Sequence, residues 1–303
     1  MNSAVAAEVA GVLAGAAQVY VGVSTPQGPH VTPELFAVNG RRIVCMTAAP
    51  TVKSRRLRGV PHVACAARNG ALSVSMVGKA TVIDPASPAT FLRAPRRAAS
   101  ASLDATLFTV GNLAELSGAA MDLLAGRLGQ PIPPHRVVII LEPQAASITD
   151  EMTVRCESGW AELSGYAHDP ASPVGRAGRR RSPPTLPDFA PLPDGLATLT
   201  SAGETMVGWT RIDGTPLTMP AAWDYRSSAA TVPAELFRLT GAARTSAACV
   251  TFDTWSGYGP SGKQGLMLRG TGRAVGSGAM VELRCTLNRA TYWLGTTTDT
   301  VAL

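Results

Sequence analysis

Charge, and lysine in particular, is scarce in this chain. Only 16% of its 303 residues are charged, against about a quarter in an ordinary globular domain, so little surface is given to solvent and much to buried or subunit-like contacts. Three of the 27 basic residues are lysines, Lys53, Lys79 and Lys263. The arginine excess goes with abundant Ala, Gly and Pro, as GC-rich coding does, and is no sign of guanidinium chemistry. Aromatics make up 5% and are not interleaved with basic residues, as a base-stacking surface requires; nucleic acid is excluded as a partner. The five cysteines, Cys45, Cys65, Cys156, Cys249 and Cys285, form no CxxC or Cys/His cluster, which leaves buried thiols in a reducing compartment and no metal site. There is no basic, apolar leader and no run of about 18 strongly apolar residues, so a cytoplasmic protein without a membrane partner is expected. GxSxG, HExxH, a complete P-loop and a strand-borne GxGxxG are all missing.

Apolar content is plentiful at 46%, enough for one large core or two ordinary ones. The net charge of +6 suits an anionic small molecule. Residues 3–17 have helical spacing, with Val5, Val9, Val12 and Leu13 on one side and Ser3 as the expected N-cap. The period then changes. QVYVGVST, HVTPELFAV and IVCMTA are short β-branched or apolar segments punctuated by PQGP and NGRR, the pattern of an antiparallel meander. Thr51 is placed to cap a short basic helix that ends at Gly59 and Pro61. Two more strands, a helical stretch over 103–128 and the strand RVVIILEPQAASI complete a β-β-β-α-β-β-α-β half.

Residues 183–193 hold five prolines beside the basic run Arg179–Arg181, which predicts an extended connector. Beyond it the pattern restarts. Pro29 and Pro33 match Pro216 and Pro220 at one offset, Leu57 falls on Leu239, Gly78 on Gly272 and Lys79 on Arg273. Collinear recurrence of turn, helix, strand pair and closing strand points to an internal repeat. The expected divisions are a first barrel over 1–150, a connector over 151–200 and a second, degenerate barrel over 201–303.

The first half concentrates groups suited to a phosphate. Thr51, Lys53, Arg55 and Arg56 bring a hydroxyl and three cations to a helix start with free N–H groups. A basic helix face in water is the plainer alternative. GPHVTPELFAVNGRRIVCMTAAPTVKSRRLRGVPHVACAA, followed by VGKATVID, resembles the FMN-binding split-barrel superfamily, which includes pyridoxamine 5′-phosphate oxidase-like proteins and flavin/deazaflavin (F420) oxidoreductases. The resemblance covers 18–85 well and 206–293 weakly, and rests on motif order and spacing.

It implies a mainly β fold with some helix (α+β), here two tandem split barrels forming an intramolecular pseudo-dimer. It also implies F420 or FMN as cofactor and hydride transfer to or from a small organic substrate. The implied cofactor residues are His30, Val31, Thr32 and Pro33 along the ring, Thr47 and Ala48 by its edge, and Thr51, Lys53, Arg55 and Arg56 on the phosphate. The longer tail of F420 would draw on Arg58, Lys79, Arg93, Arg96 and Arg97. His30 is the one candidate for a catalytic role.

The second half places Glu235 where the first has Lys53, and a carboxylate repels a phosphate. One cofactor per chain is therefore expected, in a monomer or a homodimer. Trp223, Tyr225, Trp255 and Tyr258 are the candidates for a wall over ring or substrate, with Lys263 available to an anionic tail; core packing is the alternative for such aromatics. Two other functions stay open: a haem-binding split barrel using His30 or Cys45, and a protein that only sequesters a cofactor or metabolite.

Overall fold

The computed structural model describes residues 1–85, 87, 92, 94–128, 135–151, 153–163, 192–193, 195–201, 204–255, 259–276 and 278–303. Alternating apolar residues become strands wherever one face can be buried. Two antiparallel sheets result. The first has eight strands: β1 (Val19–Thr25), β2 (Gly28–Glu34), β3 (Phe36–Asn39), β4 (Arg42–Ala48), β5 (His62–Asn69), β6 (Leu72–Ile83), β7 (Arg136–Asp150) and β8 (Thr153–Ser158). Its order is β2-β1-β5-β6-β7-β4-β3, with β8 also on β7. The second comprises β9 (Glu204–Thr210), β10 (Pro216–Asp224), β11 (Ala229–Pro233), β12 (Thr245–Trp255), β13 (Lys263–Val275), β14 (Met280–Leu294) and β15 (Thr297–Ala302). Its order is β11-β10-β9-β12-β13-β14-β15, and β11 also pairs with β14.

With β3 set aside, the two sheets share one strand order. They differ in closure: β11 bridges β10 and β14, whereas β4 pairs with β7 and β3 and leaves β2 at an open edge. The longest strand pair of each sheet breaks register at a bulge, at Val77/Gly78 between β6 and β7 and at Arg269/Gly270 between β13 and β14. A Cβ at Gly78 or Gly270 would run into the carbonyl oxygen of Glu142 or Thr286, so only glycine fits. The bulges set Gly78 against Gly270, two residues from the expected match with Gly272; that offset, and Lys79 on Arg273, are corrected.

Helix α1 (Ser3–Gly15) buries Val5, Val9, Val12 and Leu13 as expected, but Asn2 is its cap, accepting from the Val5 N–H at 2.9 Å. These four pack with Val21, Ile43, Cys45, Leu57, Met76 and Ile139 in the first interior. Helix α2 (Val52–Gly59) starts at Thr51, whose hydroxyl accepts from the Ser54 N–H. The stretch expected to be one helix is two, α3 (Pro95–Gly111) and α4 (Leu113–Leu124). Asn112 makes the joint, its amide donating to the carbonyls of Phe36 and Phe108.

The first sheet runs past the expected boundary at 150, because β8 pairs with β7 and the helical turn α5 (Trp160–Leu163) follows. Trp160 is 1% exposed, donates to the Ser147 hydroxyl, and joins the second interior with Trp209, Leu217, Met219 and Phe252. Leu192 joins the same cluster, and Leu199 packs against it. Arg179–Arg181 and Pro183–Pro191 lie outside the described residues.

The sheets meet face to face. Val31, Ala66, Met206, Cys249 and Met267 form a shared cluster edged by Tyr20 and Trp293. The Thr251 hydroxyl donates to the Val31 carbonyl at 2.8 Å, and the Tyr20 hydroxyl to Asp253 at 2.6 Å. Two glycine contacts across the seam are reciprocal. Gly22 of β1 lies against Thr218 of β10, and Gly208 of β9 against Val31 of β2. Gly22 pairs with Val31 within its sheet, as Gly208 does with Thr218.

Candidate functional site

A cleft of about 240 Å³ opens where the end of β2 faces the β12–β13 hairpin. Its floor is Pro33, Glu34 and Leu35 with Met46 of β4; α3 and α4 supply Phe108, Glu115, Leu116 and Ala119; β7 supplies Arg136. Trp255, Gly259, Pro260, Lys263 and Thr296 close it from the second sheet. Two buried carboxylates fix these walls. Asp104 of α3 accepts from Asn39 at 2.6 Å and lies 3.5 Å from Arg42, which pins α3 on the β3–β4 hairpin. Asp122 of α4 accepts from the Ser261 N–H at 2.9 Å, which pins the 3-10 turn Pro260–Gly262 across the cleft.

Four charges share the space, Glu34 and Glu115 against Arg136 and Lys263. The Lys263 ammonium sits 3.8 Å from the Trp255 ring centre, a cation–π contact, while the indole N–H donates to the Gly259 carbonyl. Burial lowers the Lys263 pKa and nearby Glu34, Asp253 and Glu115 partly offset that. Below the cleft, burial raises the pKa of Asp253, and hydrogen bonds from Tyr20 and Gln18 hold the carboxylate against that shift.

Of the residues singled out in the sequence, Pro33, Trp255 and Lys263 line this cleft. Thr32 and Lys53 are one layer away. Lys53 is buried at 4% exposure and donates to the Thr32 hydroxyl and to the Glu34 carboxylate. Its charge is thus already neutralised, and Glu34 rather than Lys53 faces the cleft. Arg56 is held by the Ser24 carbonyl at 2.9 Å; Arg55 is exposed. Thr51 spends its hydroxyl on the cap. Helix α2 therefore does not present the open cluster of cations expected of it.

His30 is largely buried, and desolvation together with the positive charges of Lys53 and Arg269 lowers its pKa to about 3, so the ring is neutral near pH 7. Val31 is fully buried in the seam. Thr47 shares the inward face of Cys45 and is buried, whereas Ala48, half-buried, shares the face of Met46.

Two of the expected wall residues need correction. Trp223 belongs to the second interior, 7% exposed and edge-on to Phe252 at 5.7 Å; strand alternation turns it inward. Tyr225 is exposed beyond the end of β10, under the Arg226 guanidinium, and lines no part of the cleft. Tyr258 and Arg93 lie outside the described residues. Arg58, Lys79, Arg96 and Arg97 are exposed and do not line the cleft. Cys45 is sealed in the first interior, its thiol pKa raised by burial, so it offers no ligand to a haem in the cleft. The sequence reading missed Glu34, Glu115 and Arg136. A charged residue on the apolar segment HVTPELFAV was the available sign for Glu34; α4 and the start of β7 carry no comparable sign.

No known protein-family profile matches the chain, nor does any curated protein. Solved structures do. A putative pyridoxamine 5′-phosphate oxidase from Listeria innocua is 14% identical and covers 48% of this chain and 98% of its own, with a TM-score of 0.31. A pyridoxamine 5′-phosphate oxidase-related, FMN-binding protein from Nostoc punctiforme is 17% identical over 48% of this chain and 82% of its own, with a TM-score of 0.32. An F420 reductase is 19% identical over 45% and 94%, with a TM-score of 0.28. About half of the chain is thus similar to pyridoxamine 5′-phosphate oxidase-like proteins and to an F420 reductase. No helix among the described residues is long and apolar enough to cross a membrane.

Proposed function

We propose that the chain is a duplicated split barrel folded as an intramolecular pseudo-dimer, and that it is an oxidoreductase holding one flavin or deazaflavin in the cleft between its halves. The duplication is supported by the common strand order and by the reciprocal contacts of Gly22 with Thr218 and Gly208 with Val31, the i-to-j, j-to-i pattern of a two-fold interface. The observation that carries the function is the cleft itself: a slot built from both halves, lined by apolar side chains and the Trp255 ring, with Arg136 and Lys263 set against Glu34 and Glu115.

The residues present fit such a cofactor in the cleft and not on α2. Pro33, Met46, Phe108 and Trp255 suit a planar ring, and Lys263 and Arg136 suit an anionic tail. The phosphate place on α2 is filled by Glu34 against Lys53, so the anionic end belongs on Lys263 and Arg136. When bound, the cofactor supplies hydride transfer, and the protein orients and shields it. Trp255 and Met46 are placed to shield a bound ring from water. His30, partly buried, neutral near pH 7 and outside the lining of the cleft, is given no part in proton transfer.

The test is titration of the purified full chain with FMN and with F420, followed by ring fluorescence and the visible spectrum. One site per chain for one of the two is expected, with affinity reduced about tenfold or more in Trp255→Ala and in Lys263→Ala. Absence of saturable binding to either cofactor overturns the reading. A small organic substrate, a cytoplasmic location and a monomer or homodimer complete the proposal. Binding without turnover of any tested donor would assign the chain to cofactor sequestration instead.

A further inference from the structure

The seam holds a second polar feature, distant from the cleft and unused by the function above. In the ladder of β13 with β14, Arg269 stands directly opposite Arg289. Like charges facing one another across a strand pair are destabilising. The fold does not require them: at the corresponding place beside the first bulge, Val77 stands opposite Ala145, and both are buried.

Both guanidiniums converge on one atom, the side-chain oxygen of Gln27 in the β1–β2 turn, at 3.4 Å from Arg269 and 2.8 Å from Arg289. Arg269 also donates to the Thr291 hydroxyl at 3.0 Å. Neither arginine has a carboxylate partner among the described residues, and the Arg269 Nε is buried without an acceptor. Burial and the charge of Arg289 lower the Arg269 pKa, which marks the local excess of positive charge. Both side chains are half-buried and open to solvent on one side.

We propose that Arg269 and Arg289 form an oxyanion site, closed by Gln27 and Thr291, that takes the carboxylate or phosphate group of a small molecule. Two guanidiniums present fork-shaped donor sets to such a group, and an anion between them relieves their repulsion. Gln27 comes from the first half and the arginines from the second, so a bound anion also ties the halves together.

The site is distinguished from the cleft by three variants of the full chain: Arg289→Gln, Arg289→Lys and Arg55→Gln. Calorimetric titration and thermal melting are followed in chloride buffer with inorganic phosphate, and separately with succinate, at matched ionic strength. Saturable binding in the millimolar range or tighter is expected for at least one of the two, with a rise in Tm. Arg289→Gln should lower that affinity at least tenfold, Arg289→Lys should lower it less, and Arg55→Gln should leave it unchanged. In the absence of an oxyanion, Arg289→Gln should melt no lower than the parent, since a repulsion is removed. The proposal fails if neither anion binds saturably, or if Arg55→Gln rather than Arg289→Gln abolishes binding. Should Arg289→Gln fail to fold, the parent titration and Arg289→Lys decide.

Discussion

The two halves run the same strand order to different ends. In the second, β11 pairs on both sides and closes the sheet around Trp209, Leu217, Met219 and Trp223. In the first, β2 is left at an open edge, and the space beside it is walled by α3 and α4. Closing a sheet removes its open edges, and here large side chains fill the enclosed space, whereas the open edge backed by helices leaves a cleft. The second half instead lends its hairpin, with Trp255 and Lys263, to the opening in the first.

The short helices repeat this contrast. In α2, Lys53 is buried against Glu34 and Thr32. At the matching place in α6 (Ala234–Leu239), Glu235 is exposed. At this position neither helix offers a free lysine to a phosphate, for opposite reasons: one carboxylate neutralises Lys53, and the other stands in its place.

The largest way to break this comparison is at Trp160, which the first half contributes to the second interior. Trp160→Ala should cost about 3–5 kcal/mol, read from chemical denaturation, and should loosen both halves together; a loss below about 1 kcal/mol would show that the turn is a passenger. Gly78→Ala and Gly270→Ala come next. Each drives a methyl into a backbone carbonyl, so each should cost about 3 kcal/mol, and closely similar losses would sharpen the correspondence of the two bulges. Lys53→Met strands the Glu34 carboxylate and should cost about 2 kcal/mol, recovered in large part by the double change with Glu34→Gln.

A pH series gives the fourth test. The unfolded chain binds a proton at His30 below its ordinary value of 6.5, while the folded chain does so only at about 3. Stability therefore falls as pH drops through that window, by up to about 1.4 kcal/mol per pH unit from this group. His30→Gln should flatten the slope relative to the parent, and an unchanged slope would remove His30 from the account. The smallest effect belongs to Glu235→Gln, expected within about 0.5 kcal/mol of the parent; set beside Lys53→Met it measures how far the two helices have diverged.

Much of the fold was legible because strand alternation and helix periodicity report burial locally. Val5, Val9, Val12 and Leu13 sit where their spacing put them, and Thr51 caps α2. The break at Asn112 was not legible, since its amide answers to Phe36, a residue distant in sequence. The candidate site was read only in part. Trp223 and Trp255 look alike along the chain, yet one faces Phe252 in a closed interior and the other a cleft. Lys53 reads as a cation for a phosphate until Glu34, nineteen positions away on β2, is folded against it.

Residue order alone determined that this would be two runs of antiparallel strands, each with a short helix after the opening meander, because periodicity of burial is written into neighbouring residues. Which charges are free and which are neutralised, which tryptophan meets solvent, and that Arg269 would face Arg289 were decided only when distant strands came together. Coulombic and packing energies depend on distance in space, and sequence separation does not record it.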